Sequence, residues 1–181
     1  KYVDDIIAFV KNLNPDMHSL DFIRGNPKDL TMELPQGEDR VKVMRKITEL
    51  YDYYGGYGNM KTHAFFMNTL SKKIMQRYVK VFNEVVEKQE QVIPCLAGTT
   101  NMVMYARGDV SSCEMLPHYA NIRDYDYDYK KIITSEAAIK RHKSIVNKEC
   151  YCYHPCYQYV NILLNPKELM KAVTPEIITV S

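Results

Sequence analysis

The sequence has no apolar run long enough to cross a membrane, no internal repeat, no low-complexity tract and no glycine-rich phosphate loop. Charge of one sign is also lacking: 24 Lys and Arg stand against 22 Asp and Glu, a net charge of +2. These absences argue against a membrane-spanning helix and against nucleic acid or an anionic membrane as partner. One local basic cluster, Lys140–Arg141–His142–Lys143, reads as the solvated face of a helix. His18, His63, His118 and His142 are scattered with no partnered nucleophile, and Asp124, Asp126 and Asp128 lack the glycine and terminal glutamate of a calcium loop. No signal-peptide pattern opens the chain, and Lys1 falls in what reads as the middle of a helix, so a piece of a longer protein is the expectation.

The 181 residues suit one large or two small domains, and 46% hydrophobic with 25% charged content is ordinary for a globular chain. Val3, Ile6, Ile7, Val10 and Leu13 recur at helical spacing and predict a helix over residues 2–13, ended by Asn14-Pro15-Asp16. Ser19–Ile23 is expected as a buried strand, followed by a loop from Arg24 to Pro27. A second helix is predicted over Gly37–Tyr54, with Val41, Val43, Met44, Ile47, Leu50 and Tyr51 on its apolar side, and Gly55–Gly58 breaks it. Phe66, Leu70, Ile74, Tyr78, Phe82 and Val86 recur every fourth residue, which predicts a long helix from about Met60 to Lys88. A boundary is placed at Gln89–Pro94, giving domains of residues 1–88 and 89–181.

The second part changes character. Thr99–Tyr105 and Val110–Cys113 are expected to form a β-hairpin about the turn Ala106–Asp109. A polar stretch over Asn121–Asp128 holds alternating tyrosines, read as one face of an extended segment. A helix follows over Ser135–Val146, and another starts near Pro166.

Five cysteines organise this half: Cys95, Cys113, Cys150, Cys152 and Cys156. An odd number leaves a thiol over in any disulfide framework, so metal ligation in a reducing compartment, the cytoplasm, is expected. Cys95 and Cys113 flank the hairpin, whose open ends come together with strands about 5 Å apart. Pro155 suits the first turn of a helix, where Cys152 and Cys156, four apart, could share a face. Four thiolates from these five suit either tetrahedral zinc or an iron–sulfur cluster, and His154 is a candidate to replace one of them. Two ligands separated by a single residue are sterically demanding, so Cys150 or Cys152 is expected to be the spare thiol.

The run Cys95-Leu-Ala-Gly98, Gly108-x4-Cys113, Cys150-x-Cys152-x3-Cys156 resembles the C-terminal extension of radical S-adenosylmethionine enzymes, called the SPASM domain or, in its single-cluster form, the twitch domain. The family's opening pattern is cysteine, nine to fifteen residues, glycine, four residues, cysteine; here twelve residues separate Cys95 from Gly108 and four separate Gly108 from Cys113. Ala120-Asn121-Ile122-Arg123-Asp124 resembles the family's Gly-Asn-hydrophobic-Arg-Glu segment, with Ala120 in place of glycine, and Ser135–Arg141 resembles the helix before its later cysteines. The full seven-cysteine pattern is absent.

The resemblance implies one auxiliary [4Fe–4S] cluster that accepts an electron from a substrate radical or binds substrate. It implies an α/β fold: the last units of a partial (β/α)6 barrel over residues 1–88, then a small α+β domain with a hairpin and helices. Ile23–Asp29 resembles, more distantly, the loop after a late barrel strand, which makes Arg24 a candidate cofactor- or substrate-contacting residue. The parent would be an oxidoreductase-type enzyme using S-adenosylmethionine and a second [4Fe–4S] cluster, acting on an unknown peptide or small molecule. That second cluster needs a Cys-x3-Cys-x2-Cys motif, which this sequence does not contain, so the chain is expected to be inactive without the upstream half of the barrel. Two other readings use the same residues: a structural zinc domain mediating protein contacts, or a metal-free interaction module presenting Tyr125, Tyr127 and Tyr129.

Overall fold

A computed structural model describes residues 2–25, 28–55 and 65–174, with side chains from residue 68 in the last stretch. The chain divides into two compact units: Lys1–Val79 with Lys171–Ser181, and Lys80–Met170.

In the first unit, α1 (Val3–Asn12) begins with Asp4 and Asp5 and ends with Lys11, charges that complement the helix dipole. No residue of α1 is buried. Helix α2 (Gly37–Tyr53) buries Met44 and Leu50, while Val41, expected on its apolar side, is exposed. Lys46 of α2 pairs with Asp4 of α1, and the Lys11 ammonium lies 4.0 Å from the centre of the Tyr53 ring. Gly55, at φ +73°, takes the left-handed conformation that ends the helix. Helix α3 (Phe65–Lys88) begins in this unit and ends in the second. Its expected stripe is buried at Ile74, Tyr78 and Phe82; the Phe66 side chain and the start expected near Met60 lie outside the described residues.

Ser19–Ile23 is not a strand. It is irregular, with the Phe22 N–H donating to Asp21 Oδ1. Phe22 is nonetheless buried, so the apolar character of the run reflects burial of that ring rather than membership of a sheet. Among the described residues the only sheet lies in the second unit.

That sheet has three antiparallel strands in the order β1 (Val103–Met104), β2 (Asp109–Ser111) and β3 (Ala120–Asn121). Val103 pairs with Ser111 and Met104 with Val110, which is the expected hairpin in shortened form. Strand β3 was not expected from its polar sequence; it pairs Asn121 with Asp109 and Ala120 with Val110. Nor is the tyrosine-rich stretch extended. Ile122–Tyr125 is a 3₁₀ turn, Asp126 and Tyr127 are left-handed at φ +53° and +59°, and Asp128 then caps α4 (Tyr129–Ile133). Ser135 accepts from the Ala138 N–H and caps α5 (Glu136–Val146). Helices α6 (Pro155–Leu164) and α7 (Pro166–Val173) both open on proline, whose missing N–H costs nothing at a first turn. The unit is therefore α+β, cored by Val81, Phe82, Val85, Val110, Ile132, Ile145 and Ile162, each 0 or 1% exposed.

Candidate metal centre

Cys95 follows Pro94 and precedes a tight turn. Its N–H is accepted by the Gln91 amide at 3.2 Å, in the amide orientation that also donates to the Ile145 carbonyl at 3.2 Å. The Thr99 and Thr100 N–H groups close on the Leu96 carbonyl at 3.0 Å each, and the Gly98 N–H on that of Asn101 at 2.8 Å. Gly98 sits at φ +80°, and a Cβ there would lie 2.7 Å from Ser112 Oγ. Only glycine fits where the turn presses on the residue before Cys113.

Cys113 lies just beyond β2. The buried hydroxyl of Ser111 is within hydrogen-bonding reach of the Cys113 and Leu116 carbonyls, at 2.8 and 2.9 Å, which folds the chain back at this point. Gly108 forms the other end of the hairpin at φ +87°; a Cβ on it would meet Arg123 Nη1 at 2.7 Å and Asn121 Oδ1 at 2.9 Å. Asn121 and Arg123 brace this turn, both side chains donating to the Arg107 carbonyl and Asn121 also to Asp109.

Cys150 and Cys152 come from the irregular segment between α5 and α6. Cys152 lies outside α6, so it does not share a helical face with Cys156. The residue before a proline is disfavoured from helical geometry, and His154 is accordingly the extended N-cap. His154 is 1% exposed, and both ring nitrogens are engaged: Nδ1 accepts the Cys156 N–H at 3.3 Å and Nε2 reaches Glu114 Oε2 at 2.9 Å. Accepting at Nδ1 puts the ring proton on Nε2. The expectation that His154 stands in for a thiolate finds no free nitrogen, since the Nδ1 lone pair is taken by the Cys156 N–H and Nε2 carries the proton directed at Glu114.

Cys95, Cys113, Cys150 and Cys152 line one cavity of about 120 Å³. That is far larger than the roughly 10–15 Å³ one water needs. Apolar Ala97, Met115, Leu116 and Ile145 share its wall with Gln91, Tyr151, Tyr157 and Gln158. Cys156 does not line it and is exposed, so the thiol standing apart is Cys156 and not Cys150 or Cys152. All five cysteines are free thiols. Comparison with family models, curated proteins and solved structures gives no match. The centre is read from its own chemistry.

Three of the four cavity thiols resist ionisation. Burial pushes Cys152 up to about 12 and also raises Cys113 and Cys150. The charge that Cys95 would carry raises all three further. Acting the other way, backbone N–H groups of Met115 and Leu116 favour the Cys113 thiolate, and that of His154 favours the Cys152 thiolate. Desolvation outweighs these donors, so the cavity thiols Cys113, Cys150 and Cys152 are held in their neutral form.

Zinc bound at about 2.3 Å needs its sulfurs roughly 4 Å from each other. Among the described residues, no group of three His, Cys, Asp or Glu side chains is placed to hold a metal ion.

Arg24 stands elsewhere in the chain, in the first unit, where it pairs with Asp21.

Proposed function

We propose that the second unit binds an auxiliary [4Fe–4S] cluster through Cys95, Cys113, Cys150 and Cys152, as part of a radical S-adenosylmethionine enzyme. The observation that carries this reading is the convergence of four thiols, from three separate segments, on one cavity. When bound, such a cluster supplies one-electron redox chemistry. The chain's own residues do the rest: Ile145 and Leu116 exclude water, and the N–H groups of Met115, Leu116 and His154 stabilise charge on sulfur.

The family assignment is supported by what its motif residues do. Gly108 occupies a position where a side chain would strike Arg123 and Asn121, and those two residues belong to the Ala120–Asp124 segment of the resemblance. Pattern glycine, Asn121 and Arg123 form one brace that carries β2 toward Cys113. Four cysteine ligands leave no iron open to substrate, which favours electron acceptance over substrate binding. Under this reading the partial (β/α)6 barrel and its S-adenosylmethionine-cleaving cluster belong to the upstream half, and residues 1–88, with no strand among those described, would contribute helices to it. The apolar residues Ile6, Phe9 and Leu13 that α1 exposes are then a face for other barrel elements to cover. The substrate would be selected by that upstream half.

Iron, sulfide and zinc analysis of protein purified without oxygen, with its visible spectrum, tests the proposal. About four iron and four sulfide per chain with a broad band near roughly 400 nm is the expected result. One zinc per chain and no visible band would replace it with a structural zinc domain. Folded protein with neither metal would overturn it.

A further inference from the structure

Helix α6 carries a buried polar row in addition to its apolar residues. His154 at the cap, Tyr157, Gln158 and Asn161 are each 5% exposed or less. Offsets of three, four and seven residues from His154 put them on one face of the helix. Burying four polar groups on one face opposes folding unless each finds a partner. The partners are what give the row its meaning.

Links from this face reach each of the three segments that bear a cavity cysteine, while His154 Nδ1 accepts the Cys156 N–H within the first turn of the helix. Asn161 Oδ1 accepts the N–H of Leu96, the residue after Cys95, at 2.8 Å. Tyr157 Oη accepts the N–H of Glu114, the residue after Cys113, at 3.3 Å. His154 Nε2 donates to the carboxylate of the same Glu114 at 2.9 Å. Gln158 Nε2 donates to the carbonyl of Cys152 itself at 2.6 Å, and Asn161 Nδ2 ties Asn161 to Gln158 at 3.4 Å. Apolar contacts alone would hold these loops near the helix without fixing their register. Hydrogen bonds to single main-chain atoms fix it.

We propose that α6 is the positioning element of the metal centre: its polar face holds the segments of Cys95, Cys113 and Cys152 in their converged arrangement before any metal is present. The inference deepens the four-thiol reading and rests on it for what the arrangement is for. It separates this site from those in which metal drives the fold. Here Ile132 and Ile162, both 0% exposed and neither lining the cavity, give the unit core packing away from the cysteines. Asn161 is accordingly a positioning residue acting through the backbone beside Cys95, and Tyr157 and Gln158 combine such backbone links with a place in the cavity wall.

The test uses the full chain with Tyr157→Phe, which deletes one oxygen, and Asn161→Leu, beside Glu114→Gln, which keeps an acceptor for His154. After anaerobic reconstitution with ferrous iron and sulfide, iron release to a chelator should be about 10- to 100-fold easier in the first two variants and near the parent's in the third. In the metal-free chain, bridging of thiol pairs by dibromobimane, mapped by mass spectrometry well below the melting temperature, should fall in the same two variants. A merely stabilising role would lower the melting temperature and leave the bridging pattern alone. Unchanged bridging in Tyr157→Phe would overturn the inference, even if Asn161→Leu failed to fold. A parent that takes up no iron would overturn the cluster reading, while the bimane comparison would still decide for or against the template.

Discussion

The two units use the same kind of amphipathic helix to different ends. In the second, the apolar face of α5 becomes core: Ala138 is buried and Ile145 is 0% exposed against the cavity wall. In the first, Val3, Ile7 and Val10 of α1 are only half-buried, and Ile6, Phe9 and Leu13 are 47, 65 and 65% exposed. Hydrophobic periodicity specifies which side of a helix is apolar; it does not say whether this chain supplies the cover. The second unit buries its core residues and holds the cysteine-lined cavity. The first presents apolar surface of the kind that marks an interaction site.

The sharpest way to break this contrast is through the thiols. If the cluster reading holds, Cys113→Ala, at a buried thiol on the cavity, should abolish iron retention, and Cys156→Ala, at an exposed thiol outside it, should leave about the parent's iron content. Equal loss in both variants would return Cys156 to the ligand set and discredit the cavity as the guide. Next in size is Ile145→Ala. Truncating a fully buried residue of the Ala97–Cys113–Ile145–Tyr157 cluster should cost about 2–5 kcal/mol in urea unfolding. A cost near zero would mean that the second unit is not held by this core.

Much of this organisation is legible in the residues themselves, and the gaps have physical causes. Helices α1, α2 and α5 follow from apolar spacing with Pro15, Gly55 and Ser135 as stops and caps. The hairpin follows from its turn, and four of the five cysteines do gather. Strand β3 is hidden because Asn121 joins the sheet through a polar side chain bonded to Asp109, a match no hydrophobic pattern reports. Ser19–Ile23 misleads because a short apolar run looks the same whether one ring is buried or a strand is paired. Cys152 and Cys156 are four apart, but the proline between them starts the helix too late for both to belong to it. The partners of α6 lie about 40 to 65 residues away in sequence, so the spacing of His154, Tyr157, Gln158 and Asn161 shows a face and not its purpose.

Glycine substitutions sharpen the contrast at smaller scale. Gly55→Ala in the first unit meets nothing within 4 Å, so its cost is the left-handed backbone alone, about 1 kcal/mol. Gly108→Ala carries the same backbone strain and in addition drives a Cβ to 2.7 Å from Arg123 Nη1 and 2.9 Å from Asn121 Oδ1. It should cost about 2–3 kcal/mol, and it should also loosen the brace behind Cys113. Equal midpoints for the two variants in chemical denaturation would show that the hairpin turn yields without consequence.

The smallest expected effect tests the first unit directly. Phe9 is 65% exposed on a helix with no buried residue, so the ring leaves water only in part when the chain folds. Phe9→Ser should therefore change unfolding stability by no more than about 0.5 kcal/mol, against the several expected for Ile145→Ala. It should also reduce concentration-dependent association, since the exposed ring is the part of the α1 face most able to stick to another surface. Light scattering and a urea melt on the same sample measure both quantities. A loss of stability approaching that of Ile145→Ala would show that α1 is packed within this chain, and the apolar face would no longer be one awaiting cover.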